Sequence, residues 1–332
     1  MKRILTGDTP TGKLHLGHYV GSLENRMKLQ SELETFIVIA DMHSFAYPKY
    51  ANDPESVSKA AHDVLLDNLA VGLDPEKVTF FTESSIPEIY ELASIFSMLI
   101  THNRALRNPT LKEELKIKEM GDNYSMGFIN FPLLQVADIL CVKADVVPVG
   151  EDQLPHLELT NEVVRKFNKT YGKVFNEIEP RLGRIKRLVG TDGGVKMSKS
   201  LGNAINLGDD EQILKKKVMG MYTDPKRIHP TDPGTVKGNP VFIYHDAFNP
   251  NKEEVDDLKS RYEKGKVGDV EVKEKLFDVL NTLLMPIRER RAKYEKDPKK
   301  VEDILKTGVE KVRKEARSTL NEVKEKMKLP TF

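Results

Sequence analysis

The stretch RILTGDTPTGKLHLGHYVG, Arg3 to Gly21, sets how the rest of the chain is read. Residues 3–7 form a short run of strand character. GDTPTG then turns the chain, and a helical pattern opens near His15 and continues through LGHYVGSLENRMKLQ. A strand that ends in a turn and opens a helix is half of a βαβ unit, and the following residues repeat the pattern. TFIVIAD, Thr35 to Asp41, is a continuous apolar run of strand length, as in a strand buried on both faces of a parallel sheet. Asp53-Pro54 joins an N-cap residue to a proline suited to the first helical position. That helix reads to about Val71 and stops at Gly72. KVTFF, Lys77 to Phe81, is the next strand, and Pro87 opens a helix to about Thr101. ADVVPVG, Ala144 to Gly150, is a further strand, and EDQLPHLELTNEVVRKFNKTYG begins a long helix. The alternation predicts an α/β class with a doubly wound, Rossmann-like parallel sheet. From about Asp209 the pattern changes. DDEQILKKKVMGM, Val270 to about Glu295 and Lys299 to about Lys328 read as helices with no strand between them. We therefore expect an α/β domain over residues 1–206 and an all-helical domain over residues 207–332.

The chain has 332 residues, 39% hydrophobic and 31% charged, enough for an ample core in two domains. A net charge of +1 announces no global basic field, so a nucleic-acid partner would need a local patch. RERRAKYEK and EKVRKEAR, in the last helices, are either solvated helix faces or such a patch. Cys141 is the single cysteine, which excludes an internal disulfide and a thiolate metal site and suits a reducing cytoplasm. The apolar run after Met1 is too short for a signal peptide, and no stretch approaches a membrane span. The expectation is a cytoplasmic protein with no membrane association.

Two segments carry chemistry. Residues 195–201 read VKMSKSL and follow the turn TDGG, Thr191 to Gly194. Lys196, Lys199, Ser198 and Ser200 are either a solvated loop or a phosphate clamp of two cations and two hydroxyls hinged by glycine. His15 and His18 lie one helical turn apart at a strand end, where open parallel sheets bind ligands. They could be caps, core residues or metal ligands. As imidazole donors to phosphate they fit a nucleotide better, with Gly17 between them admitting a flat group. Neither G-x-G-x-x-G after the first strand nor G-x-x-x-x-G-K-[ST] occurs, which disfavours dinucleotide-binding and P-loop enzymes.

HLGH at 15–18 differs from His-Ile-Gly-His only in its leucine, and KMSKS at 196–200 is complete. With both in this order, the chain resembles the class I aminoacyl-tRNA synthetases. FPLLQVADILCVKADVVPVGEDQLPHLELTNEVVRKFN, Phe131 to Asn168, and DMHS at 41–44 look like the tryptophanyl-tRNA synthetase family. The likeness is distinctive over residues 1 to about 230 and thins in the C-terminal helices.

The resemblance implies a ligase that joins L-tryptophan to tRNA(Trp) through an adenylate, using ATP with Mg2+ and no structural metal. It implies catalytic roles for His15, His18, Lys196 and Lys199, the lysines closing on leaving pyrophosphate. ATP would meet Thr9, Thr11, Gly17, His18, Gly150, Asp152, Lys196, Met197, Ser198 and Lys199. Tryptophan would meet Leu5, Gly7, His43, Phe131, Gln135, Asp138, Val147, Val149 and Gln153. Asp138 has the central part: indole offers one donor and no acceptor, and a carboxylate only accepts. A dimer interface is implied for a helical insertion at about 80–135, and an anticodon-binding role for residues 207–332.

Three departures stand out. Thr9 replaces a frequent glutamine, His18 a frequent asparagine, and Phe131 a usual tyrosine. Loss of that tyrosine hydroxyl leaves Gln135, one turn along, as the expected contact for the substrate ammonium. The tyrosyl enzymes, and a stand-alone paralogue that makes the adenylate without charging tRNA, are the alternatives.

Overall fold

The computed structural model describes residues 1–117, 124–183, 188–194, 197, 201–225, 227–229 and 231–331. Five strands, β1 (Arg3–Asp8), β2 (Glu34–Ile39), β3 (Val78–Thr82), β4 (Val146–Val149) and β5 (Glu179–Leu182), form one parallel sheet in the order β3-β2-β1-β4-β5. This order winds one way from β1 and then the other, so the switch point lies between β1 and β4. There the ladder is short. β1 pairs with β2 from Arg3↔Glu34 to Asp8↔Ile39 but with β4 only at Ile4↔Val146. Pro148 has no N–H to donate, and the Thr6 hydroxyl instead donates to its carbonyl at 3.1 Å.

β1 to β4 match the expected runs to within a few residues. β5 was not anticipated, because Glu179-Pro180-Arg181-Leu182 is exposed throughout and carries no apolar pattern. Beyond β1 the expected single helix is divided. A turn, Leu16–His18, leads into a π-helical stretch, Tyr19–Leu23, before the α-helix Glu24–Leu29. The bulge presents the Gly21 carbonyl to Gly183, where a Cβ would lie 2.4 Å from that oxygen.

The sheet is covered by α1 (Pro54–Val71), α2 (Pro87–Ser97), α3 (Met126–Cys141) and α4 (Leu154–Tyr171), and by the C-terminal α5 (Asp269–Glu295) and α6 (Pro298–Lys326). α1 starts as its sequence requires: Asp53 accepts from Ser56 N at 3.2 Å, and Gly72 closes it at φ +113°.

The strands end before residue 207, but the core does not. One apolar cluster joins Leu14, Ile37 and Val64 to Leu276, Leu284 and Val301. A second joins Phe36, Phe81, Ala137 and Val163 to Val312, Ala316 and Leu320 of α6. α6 lies directly on β3, so close at Gly308 that a Cβ there would stand 1.8 Å from the Phe80 carbonyl oxygen. Among the described residues, no helix is long and apolar enough to cross a membrane.

Candidate active site

The carboxyl ends of β1 and β4 bring the two signature segments together. Backbone bonds bind Leu14–Leu16 to the chain that follows the lysine loop: Leu16 N donates to Ile205 O at 3.0 Å, and Leu207 N to Leu14 O at 2.9 Å. Met197 is buried and lies across Gly17, its sulfur 3.6 Å from where a Cβ would stand. The base of the loop is joined by Thr191 N to Asn203 O at 3.0 Å, and Gly193 and Gly202 near its ends hold positive φ of +77° and +68°. Lys196, Ser198 and Lys199 lie outside the described residues.

His15 and His18 form a reciprocal cap. His15 Nδ1 accepts from Gly17 N at 3.1 Å, and His18 Nδ1 accepts from His15 N at 3.2 Å. Their ring centroids are 3.9 Å apart. Because each Nδ1 is an acceptor, each neutral ring carries its proton on Nε2. The turn therefore sets the tautomer that can donate to an anion. Gly17 is needed for the cap: a Cβ there would press on the His15 ring at 2.9 Å.

Below the turn, buried Arg26 grips Asp8 with bonds of 2.6 and 3.0 Å and holds Asn68 at 2.9 Å, anchoring the end of β1. Gly7 sits against β2, where a Cβ would meet the Val38 oxygen at 2.1 Å. Thr9 and Thr11 form a tight turn, tied by Pro10 O to the Ser44 hydroxyl at 3.2 Å. Gly150 caps the single turn Glu151–Gln153 after β4, and Gln153 N donates to Gly150 O at 3.0 Å. The Asp152 side chain is outside the described residues.

On the other side of the strand ends lies a buried charged cluster. Asp138 is buried on α3, between Ala137 and Ile139 of an apolar cluster that also holds Leu5, Val136, Val147 and Val149. His43, on the turn Asp41–Ser44 after β2, places Nδ1 2.8 Å from Glu83 Oε2 and 3.9 Å from Asp138 Oδ2. All three side chains are buried. Burial opposes the charge on His43, but Glu83 first and then Asp138 hold its pKa up at about 9. The Asp138 carboxyl is pushed well above the usual carboxylate range by burial and by Glu83, against the pull of His43.

Asp138 Oδ1, Glu83 Oε1 and His43 Nε2 are buried without a hydrogen-bond partner among the described residues. Unpaired buried polar atoms of this kind mark a ligand end. The trio is also the one group among the described residues whose spacing could hold a metal ion.

Phe131 stands at the rim in an aromatic group with Phe128, Tyr47 and His156, its ring 6.0 Å from His43. Gln135 is half-buried one turn along α3. Glu83 escaped the sequence reading. Its signal was present, since Thr82-Glu83-Ser84 ends an apolar parallel strand and strand ends face ligands.

The comparisons with known proteins agree with this geometry. The model of the family described as tRNA synthetases class I (W and Y) matches residues 1–285. The chain is 48% identical over 329 residues to the tryptophan–tRNA ligase of Treponema pallidum, covering 99% of this chain and 97% of that one. It is 49% identical over 335 residues to that of Clostridium longisporum, again covering 99% and 97%. A crystal structure of tryptophanyl-tRNA synthetase from Campylobacter jejuni, complexed with ADP and tryptophan, superposes with a TM-score of 0.85 at 30% identity, covering 98% of this chain and 100% of that one. Signature segments joined at the switch point of a 3-2-1-4-5 sheet, and relatives matched over almost their full length, lead to one assignment: the chain belongs to the tryptophanyl-tRNA synthetase family of class I.

Proposed function

We propose that the protein activates L-tryptophan with ATP and transfers it to the 3′ end of tRNA(Trp). The observation that carries this reading is Asp138: a buried carboxyl with an unpaired oxygen, on a helix whose neighbouring residues belong to an apolar cluster. Indole supplies a flat apolar body and the single N–H that oxygen lacks. Leaving a buried acceptor unsatisfied costs roughly 1–3 kcal/mol. An amino acid without the donor leaves the acid unpaired and is rejected for that reason.

The tryptophan carboxylate is already the nucleophile, so attack on the α-phosphate needs no general base. Catalysis is positioning and stabilisation of phosphate charge. The Nε2–H groups of His15 and His18 donate to phosphate oxygens. Lys196 and Lys199 are assigned to the leaving pyrophosphate, and Gly150, Asp152 and the Thr9–Thr11 turn to the nucleotide. The described donors suit phosphate oxygens rather than a metal, so Mg2+ is read as carried by the nucleotide, where it neutralises phosphate charge. Gln135 takes the ammonium contact in place of a tyrosine hydroxyl, and Gln153 faces the amino-acid backbone.

The basic helical residues 207–332 are assigned to the tRNA anticodon loop. The region 80–135 is assigned to a two-fold dimer interface, a reading supported by the exposure of Met98 and Met126. A cytoplasmic location follows from the reaction.

The test is ATP–pyrophosphate exchange with each standard amino acid in turn, then charging of tRNA(Trp). Tryptophan alone should support exchange. Exchange with tyrosine would overturn the pocket assignment, and exchange without charging would identify a stand-alone adenylate-forming enzyme.

A further inference from the structure

Arg291 of α5 is a buried cation far along the chain from either signature segment, yet it is linked through Asp67 to the residue before His15. Its guanidinium donates to Asp67 Oδ1 and to Asp63 Oδ1 of α1, and its Nε donates to Glu295 at 3.0 Å. Asp67 is fully buried, and its second oxygen accepts the backbone N–H of Leu14 at 2.8 Å. Leu14 is the residue before His15, and its carbonyl accepts from Leu207, on the chain returning from the lysine loop. The Arg291 side chain also lies alongside Gly208, where a Cβ would stand 3.4 Å away. One turn earlier on α5, Arg288 donates to the carbonyl of Asp209 at 3.2 Å. Asp209 in turn accepts from Asn206 N at 2.8 Å.

We propose that Arg291 is a positioning residue for the nucleotide half of the site. From the C-terminal helix it orients the Asp67 carboxylate, and through it the Leu14 backbone from which His15 and His18 project. The planar fork is what the task requires. It meets two carboxylates and leaves Asp67 turned with its other oxygen toward Leu14, which a single ammonium cannot do. Burial alone would push the Asp67 carboxyl up, and it still lies at about 6 with Arg291 beside it, so the guanidinium is needed to keep it charged. The arrangement gives the helical region a direct mechanical hold on the ATP site and none, by the same bonds, on the Asp138 pocket.

The inference rests on the proposed activation of tryptophan by ATP, and the experiment separates the two. Full-length wild type, Arg291→Lys and Arg291→Met are compared for direct Mg·ATP binding by calorimetry and for tryptophan binding by the ligand's own fluorescence. The chain contains no tryptophan to obscure that signal. Steady-state pyrophosphate exchange then yields KM for each substrate. Arg291→Met should weaken ATP binding on the order of a hundredfold and Arg291→Lys on the order of tenfold, as for small misplacements of binding groups. Tryptophan affinity should stay within about twofold. A folded variant with unchanged ATP affinity overturns the proposal. So does a parallel fall in both affinities that tracks the loss of Tm, which a merely structural role would give. If Arg291→Met does not fold, Asp63→Asn and Arg291→Lys carry the comparison, since each leaves Asp67 a charged partner. Wild type that binds ATP but shows no exchange with tryptophan refutes the activity, while the ATP comparison still judges Arg291.

Discussion

At the scale of single residues, the pocket is governed by how three buried ionisable groups share charge. Asp138, an acid among apolar neighbours, and His43, by family resemblance, were legible from the sequence. Glu83 changes the account, because it holds His43 as an imidazolium and raises Asp138 by repulsion. The sign of the pH dependence follows. His43 has a folded pKa of about 9, above the ordinary 6.5, so its contribution to stability is complete below pH 6.5 and fades as pH rises through 9. The carboxylates facing it are Glu83 and Asp138. Glu83→Gln should therefore move that loss of stability to lower pH, toward the ordinary histidine range. It should also destabilise the fold by roughly 1–3 kcal/mol, the range for removing a buried partner that leaves a hydrogen bond possible. Thermal unfolding of both proteins from pH 6 to 9.5 reads this directly; curves merely displaced in parallel would refute the charge-sharing account. Asp138→Asn keeps an acceptor oxygen but loses its charge. We expect kcat/KM for tryptophan to fall by about tenfold or more, with KM for ATP unchanged.

At the scale of elements, close backbone approach decides more than side-chain character. The HLGH turn is a capping device: the two Nδ1 atoms accept backbone N–H groups, which places the proton of each neutral ring on Nε2. The sequence spacing showed one face of a helix. It could not show that the helix would pass into a π-helical stretch after one turn, or that Gly21 there would meet Gly183 beyond β5. Gly308 makes the same point for α6. Its amphipathic pattern identifies a helix, but only the packed structure places it on the backbone of Phe80. Gly308→Ala should force α6 away from β3 and cost about 1–3 kcal/mol or more, the range for overpacking a closed interface. The check is the urea midpoint at constant m-value; an unchanged midpoint would mean that α6 does not bear on β3 as described.

At the scale of the whole molecule, the composition change near residue 207 divides the chain by element type, while the apolar clusters run across it. A unit that shares its core unfolds with its neighbour. Calorimetry should show one cooperative transition rather than two, and tryptophan should raise its midpoint by mass action on the native state. Removing residues 297–332 strips Val312, Ala316 and Leu320 from the core around Phe81 and Ala137. That protein should lose cooperative unfolding and aggregate, even though no residue assigned to chemistry has been removed. A truncated chain that unfolds cooperatively, or two resolved transitions in the full one, would restore the picture of independent domains.

The sequence by itself determined the α/β alternation, strands β1 to β4, the helical character of the C-terminal third and the identity of both signature segments. These are local quantities: apolar runs, caps, and short strings whose residue types match phosphate and indole. Tertiary structure decided what those segments touch. β5 carries no apolar pattern because it is an exposed edge, so only its pairing with β4 reveals it. Glu83, His43 and Asp138 come from three separate elements, and their charges depend on distances that no spacing along the chain encodes. Arg291 reads as one more basic residue on a helix until the fold buries it against Asp67, because burial and pairing are properties of the assembled chain.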